Sequence, residues 1–292
     1  VKVIDFDNIA PLESPISDSI KGRKLRVAVS AILSPRETYN SYTDIFRYLS
    51  SKIGREIEFH QRKTYKEVNH MLEEGQLDFA FICSGAYIEL SIDRGVELLC
   101  VPIIKGKSFY QAYIIVPANS SAKKLEDLQN SSFAFTDPLS NTGYLYVLHR
   151  LDQIERNADN FFSSTLFTNG HDISIQMVAK GLLDGATIDG LVYDFLSSKD
   201  PQRVSSIRII EKSQYFGIPP IVISSHLDPE LKSRIQDVFL NIHKDPQGKK
   251  LLKTLLIDRF VIGNDSNYNE IREIRKSIAS KETQNLNSNG RK

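Results

Sequence analysis

The chain has 292 residues, 41% of them hydrophobic and 25% charged, with no Trp. That length suits two α/β lobes better than a single core, and with this composition disorder is not the default reading. With 37 basic and 36 acidic residues the net charge is +1. There is no basic excess or stripe, so a nucleic-acid partner is not expected, and any anionic ligand must be held by local groups.

The opening residues, 1–23, are polar with Pro and Ser and lack an apolar signal-like core. They read as a tether of the kind that follows a removed signal or lipid anchor. No run of about 18 apolar residues is found, so no spanning helix is expected. The first core element is LRVAVSAI, Leu25 to Ile32, a buried strand ending at Ser34-Pro35. A helix follows with Tyr42, Ile45, Phe46 and Leu49 on one face, stopped by Gly54. Strand EIEFHQ, helix YKEVNHMLEEG and strand LDFAFIC come next. This alternation argues for a parallel sheet covered by helices. Ligands of such sheets bind outside the carboxyl ends of strands, which here are Ser30 to Ser34, the Gln61 to Tyr65 turn, and Cys83 to Tyr87.

Strand QAYIIVPAN ends the first lobe near Val116, and a second alternation begins at Pro117. Helix AKKLEDLQ leads to strand SFAFTDP, loop LSNTG and helix YLYVLHRLDQI. Strand TLFTNG, helix SIQMVAKGLL, strand DGATID with GLVYDFL, and strand SIRIIEKS complete it. Pro219-Pro220 biases the chain toward an extended crossover before strand IPPIVIS. Helices PELKSRIQDVFLNIH and DPQGKKLLKTLL follow. The expected organisation is therefore a first lobe from residues 24–116 and 217–277, a second lobe from 117–216, and a flexible polar tail over 278–292. Cys83 and Cys100 lie in apolar stretches with no metal spacing; they read as two buried thiols, with a single disulfide as the alternative.

The most informative stretch is Thr136-Asp137-Pro138-Leu139-Ser140-Asn141-Thr142-Gly143, between an apolar strand and a helix. A helix N-terminus offers unsatisfied N–H groups and a partial positive charge, which suit an anion. Ser140, Asn141 and Thr142 add neutral side-chain donors; taken alone, the same residues read first as plain N-caps. Asp189, at the carboxyl end of strand DGATID, can accept a hydrogen bond from a ligand that keeps a proton and so reject a fully ionised competitor. Ser84, in the FICSGAY turn, is a further donor or simply part of a tight turn. The six histidines form no H-x-x-H or H-E-x-x-H motif, and phosphate-binding Gly-rich loops and the G-x-S-x-G elbow are missing, so no metal, nucleotide cofactor or catalytic residue is expected.

The segments SPRETYNSYTDIFRYL, TYKEVNHMLEEGQLDFAFICSGAY, AYIIVPANSSAKKLEDL, FAFTDPLSNTGYLY, HDISIQMVAKGLLDGATIDGLVYD and FGIPPIVIS are found in this order. Together they resemble the phosphonate-binding periplasmic proteins of ABC transporters, within the phosphate/phosphite/phosphonate group, over Lys24 to Arg272. The resemblance implies the two-lobed type II periplasmic-binding-protein fold, with a ligand cleft between lobes that closes about a hinge. The family loop commonly reads Asp-Pro-x-Ser-Thr-Ser-Gly; here Ser140, Asn141, Thr142 and Gly143 occupy the matching positions, with Asn for the middle Thr and Thr for the second Ser. Tyr65 and Tyr110 match ligand-contacting tyrosines, and His171-Asp172 matches a His-acidic pair. The implied protein is a monomeric extracytoplasmic component that captures a phosphorus oxyanion (phosphonate, phosphate or phosphite) without chemistry and delivers it to a membrane permease. A sensor domain of the same fold is the alternative, and an enzyme reusing the fold, such as a pyrimidine-precursor synthase, the third reading.

Overall fold

A computed structural model describes the backbone of residues 23–90 and 92–289. Apart from Arg23, the predicted tether lies outside the described residues. The first strand, β1 (Leu25–Val29), is followed by α1 (Pro35–Ile53), which ends as expected on Gly54 at φ 69°, its N–H donating to the Ser50 carbonyl. Then come β2 (Ile57–His60), α2 (Tyr65–Glu73), β3 (Phe79–Phe81), the short α3 (Ser84–Tyr87) and β4 (Val96–Ile103). A capping box sets the start of α2: Thr64 Oγ1 accepts from the Glu67 N–H, and Glu67 Oε2 accepts from the Thr64 N–H at 2.8 Å.

After β5 (Phe109–Tyr110) the chain builds β6 (Ala112–Pro117), β7 (Ser132–Phe135), α4 (Tyr146–Gln153), α5 (Ala158–Phe161), β8 (Ser164–Phe167), α6 (His171–Ala179), β9 (Gly185–Asp189), α7 (Gly190–Lys199), β10 (Ile207–Lys212) and β11 (Phe216–Gly217). It returns through β12 (Ile221–Ser224), α8 (Pro229–Asn241), α9 (Pro246–Thr254) and β13 (Arg259–Val261), and ends in α10 (Asn269–Asn289). The helix expected over AKKLEDLQ is only a 3-10 turn, Leu125–Leu128. Asp127 Oδ2 takes the Lys123 N–H at 2.7 Å, and Asn130 turns the chain away at φ 60°.

Among the described residues two compact units result: one from residues up to Phe109 with Ile218–Asn264, the other from Tyr110–Gly217 with the residues from Asp265 on. The first crossing falls at Phe109/Tyr110 rather than near Val116, because β6 pairs antiparallel with β9 and β10 and so belongs to the second unit's sheet. Residues 265–277, expected in the first lobe, belong to the second unit. Nor is 278–292 a flexible tail as far as Asn289: α10 buries Ile271, Ile274 and Ile278 along one stripe, and Lys281 Nζ reaches Asp152 Oδ1 at 2.5 Å.

The first unit's sheet has the order β13-β4-β12-β3-β1-β2. It is parallel over β2, β1 and β3 as expected, but mixed beyond them. The returning strand β12 lies antiparallel between β3 and β4, and β13 lies antiparallel on β4. On one face Val27, Val29, Phe79 and Phe81 pack against Ile45, Phe46 and Leu49 of α1 and Ile235 and Phe239 of α8. The second unit's sheet, β10-β6-β9-β7-β8, is parallel over β9, β7 and β8. Phe133 stacks on Phe162 with ring centroids 4.4 Å apart. Both cysteines are buried thiols that form no disulfide, so the disulfide alternative is corrected. No described helix is long and apolar enough to cross a membrane.

Candidate functional site: a loop of buried neutral donors in the second unit

The loop after β7 is held by its own backbone. Asp137 accepts from the Leu139 N–H through Oδ1 (2.8 Å) and from the Ser140 N–H through its carbonyl (2.9 Å). Ser140 Oγ caps the following turn by accepting the Gly143 N–H at 2.9 Å, the capping role that a Ser in this position also predicts. The turn itself is a π-turn over Asn141–Leu145: the Leu145 N–H donates to the Ser140 carbonyl and the Tyr146 N–H to the Asn141 carbonyl. Such wide turns are frequent at functional sites. The Thr136 N–H donates to the Gly143 carbonyl at 2.9 Å, and Thr187 Oγ1 donates to the Thr142 carbonyl at 2.5 Å. The backbone of the loop is thus pinned from β7 and from β9.

Its side chains are not used up in this way. Asn141 and Thr142 are fully buried. Among the described residues Asn141 Oδ1, Asn141 Nδ2 and Thr142 Oγ1 have no hydrogen-bond partner. A buried polar atom left unpaired costs about 1–3 kcal/mol, and native interiors keep few of them.

His171 opens α6 beside this loop, fully buried. The Asp189 N–H donates to His171 Nδ1 at 3.0 Å, and Thr136 Oγ1 lies 3.0 Å from the same nitrogen. An N–H can only donate, so Nδ1 is the acceptor and the neutral ring carries its proton on Nε2. Burial pushes the imidazolium pKa down to about 3, so the ring is neutral at physiological pH. The Nε2–H is a further buried donor with no partner among the described residues. The ring abuts the loop: a Cβ built on Gly143 would stand 2.8 Å from His171 Cε1.

Of the ten sequence-predicted residues, the second unit brings Ser140, Asn141, Thr142, Gly143, His171 and Asp189 together. Asp189 has a structural task as well, capping α7 by accepting the Leu191 N–H at 2.7 Å. Burial pushes its carboxyl up to about 7. Asp172 is buried in the first turn of α6 and ion-pairs with Arg203 at 3.7 Å. The N-cap of that helix is Gly170. Tyr110 is buried in β5. In the first unit, Tyr65 opens α2 and Ser84 opens α3, both fully buried. Asn69 of α2 donates to the Ala86 carbonyl of α3 at 2.9 Å. Sequence reasoning missed Thr187, whose one signal was its place two residues before Asp189, on the same side of β9. Among the described residues no group of three His, Cys, Asp or Glu side chains could hold a metal ion.

Comparison with known proteins gives this arrangement a family. Residues 27–268 match the family described as ABC transporter, phosphonate, periplasmic substrate-binding protein. The Escherichia coli phosphonates-binding periplasmic protein is 23% identical over 288 residues, covering 97% of this chain and 84% of its own. A binding protein component of a Pseudomonas aeruginosa ABC phosphonate transporter superposes with a TM-score of 0.82 at 21% identity, over 89% of this chain and 87% of that one. PhnD1 from Prochlorococcus marinus, solved with methylphosphonate, gives 0.79 at 18% identity, over 87% and 98%. At these identities the structural likeness is one of fold, that of the type II periplasmic binding proteins. With a family match spanning most of its length, the chain belongs to the periplasmic substrate-binding proteins of phosphonate ABC transporters.

Proposed function

We propose that the protein captures a phosphorus oxyanion, a phosphonate or its relatives phosphate and phosphite, outside the cytoplasmic membrane and presents it to the permease of an ABC importer. It performs no chemistry on its ligand. The observation that carries this reading is the set of buried polar atoms without partners around one turn: Asn141 Oδ1 and Nδ2, Thr142 Oγ1 and His171 Nε2. Three of these four can donate, and all belong to neutral groups. Hydrogen bonds to a charged partner are worth about 1.5–3 kcal/mol each, so a few such donors hold an anion without a fixed positive charge. Asp189 is the acidic member of the set. In its ionised form it can accept a hydrogen bond from the remaining proton of a singly ionised ligand and so select against a fully ionised one. Ser140, Gly143, Tyr65, Ser84, Tyr110 and Asp172 are proposed as the further contacts.

The test is a thermal-shift and calorimetry panel of methylphosphonate, aminoethylphosphonate, phosphite and phosphate against sulfate and small carboxylates. A true ligand raises the melting temperature by mass action. Asn141→Ala should weaken binding of whichever phosphorus anion stabilises the protein by about tenfold or more. A panel in which only carboxylates or sulfate stabilise the protein would overturn the ligand class. Unchanged affinity in Asn141→Ala would remove the loop from the site.

A further inference from the structure

The carboxyl end of β1 carries a hydroxyl that the fold does not explain. The backbone of Ser30 is fully employed: its N–H donates to the Phe81 carbonyl at 2.9 Å, and its carbonyl accepts from the Ile32 N–H at 2.6 Å. Its side chain is 0% exposed, yet Oγ has no hydrogen-bond partner among the described residues. A serine hydroxyl can rotate to reach any nearby acceptor, so an orphan in this place is not a matter of geometry narrowly missed. Alanine would occupy this position without stranding a polar atom.

The position of this hydroxyl is specific. Side chains alternate along a strand. Val27 and Val29 face the core formed with α1 and α8, so Ser30 faces the other side of the sheet with Ala28. The buried residues of α2, Val68, Met71 and Leu72, pack outside that α1-side core. The Ser30 N–H bond to Phe81 places Ser30 beside the end of β3, three residues before Ser84 opens α3. Asn69 ties α3 to α2, which Tyr65 opens. Ser30 therefore lies at the strand ends where α/β sheets bind ligands, next in the sheet to the turn bearing Ser84.

We propose that Ser30 is a ligand-contacting residue of this binding protein, its hydroxyl donating to an oxygen of the bound anion. This rests on the reading that the chain binds a phosphorus oxyanion. Such an anion presents mainly acceptors, so the hydroxyl acts as donor. Because the hydroxyl is unpaired in the ligand-free protein, its removal should not weaken the fold.

The experiment compares wild type with Ser30→Ala in two measurements, the melting temperature without ligand and the Kd by calorimetry for methylphosphonate, phosphite and phosphate. The expected result is a ligand-free melting temperature unchanged or raised, with Kd weakened about tenfold or more for the anion that wild type binds. Equal affinities within twofold would overturn the role of Ser30 while leaving the functional reading intact. A ligand-free melting temperature several degrees lower would also overturn it, by revealing an internal partner for the hydroxyl. If wild type binds none of the three anions, the functional reading fails and the role of Ser30 falls with it.

Discussion

Gly143→Ala is expected to weaken anion binding by at least about 100-fold and to destabilise the protein by ~1–3 kcal/mol. A Cβ at this position would stand 2.6 Å from both Cβ and Oγ1 of Thr136 and 2.8 Å from Cε1 of His171. None of these is the free end of a flexible side chain. Thr136 Cβ is one bond from its backbone, and that backbone donates to the Gly143 carbonyl at 2.9 Å. The imidazole is held through Nδ1 by the Asp189 N–H. The extra methyl must therefore push the turn away from β7 or rotate the ring. The first breaks the Thr136–Gly143 bond and moves Asn141 and Thr142; the second moves the Nε2–H donor. The first displaces several donors at once, and the second also breaks the Asp189 N–H bond to the ring, so the loss exceeds that of any single donor. Gly143 is not among the residues with positive φ, which makes space, rather than backbone strain, the reason for glycine. Calorimetry with the bound anion, alongside circular dichroism to verify folding, checks this. A folded Gly143→Ala protein with wild-type affinity would mean that the loop and His171 do not act on the ligand together.

Much of this site was legible in the sequence, and the reason is local. An apolar strand, a Pro, three small polar residues and a Gly before a helix mark an anion-friendly turn within eight residues, Thr136 to Gly143. The strand–helix alternation likewise announced both units. What stayed hidden depends on contacts distant in sequence. The protonated nitrogen of His171 is fixed by a backbone N–H 18 residues away. Thr187 pins the loop from 45 residues away. An unpaired hydroxyl such as that of Ser30 is a property of everything around it. The unit boundary moved for the same reason, since QAYIIVPAN reads as a strand whichever sheet it joins, and its pairing with β9 decides the matter. The C-terminal helix is hidden in the sequence for another reason. Ile271, Ile274 and Ile278 carry a helical spacing, but the polar composition beyond Ile278 outweighed them.

The architecture also bears on why an uncharged site suits this chain. A lysine or arginine among these donors would have to be desolvated in the fully buried shell around Asn141, Thr142 and His171, and an unpaired buried cation is far more costly than an unpaired amide. Arg203, the cation paired with the His171 neighbour Asp172, is engaged there instead. Neutral donors leave the ligand-free protein tolerably stable and keep the capacity to hydrogen-bond to an anion.

Asp189→Asn is expected to stabilise the protein in alkaline solution and to do little in acid. The carboxyl is fully buried, and burial raises its pKa from 3.8 to about 7 against the smaller, opposing effect of the Leu191 and Val192 N–H groups. Between pH 4 and 7 the folded protein therefore holds a proton that the unfolded chain has released. Stability attributable to this group is fully present below about pH 4 and is lost as pH rises through about 7. At about 1.4 kcal/mol for each pH unit separating the folded and unfolded pKa values, the loss approaches ~4 kcal/mol as an upper bound, and we expect at least ~2 kcal/mol. Asparagine caps a helix as well as aspartate, so the Leu191 N–H keeps its acceptor, and the amide has no proton to lose. His171 works in the opposite sense: with its pKa held at about 3, it loses stability as pH falls below 6.5. Both proteins carry His171, so its contribution cancels in their difference. Urea unfolding of wild type and Asp189→Asn at pH 4, 6 and 8 isolates the carboxyl. The gap between the two should widen with pH, the variant being the more stable at pH 8. A gap that stays constant from pH 4 to 8 would mean that Asp189 is ionised throughout, and that burial does not raise its pKa in the folded protein.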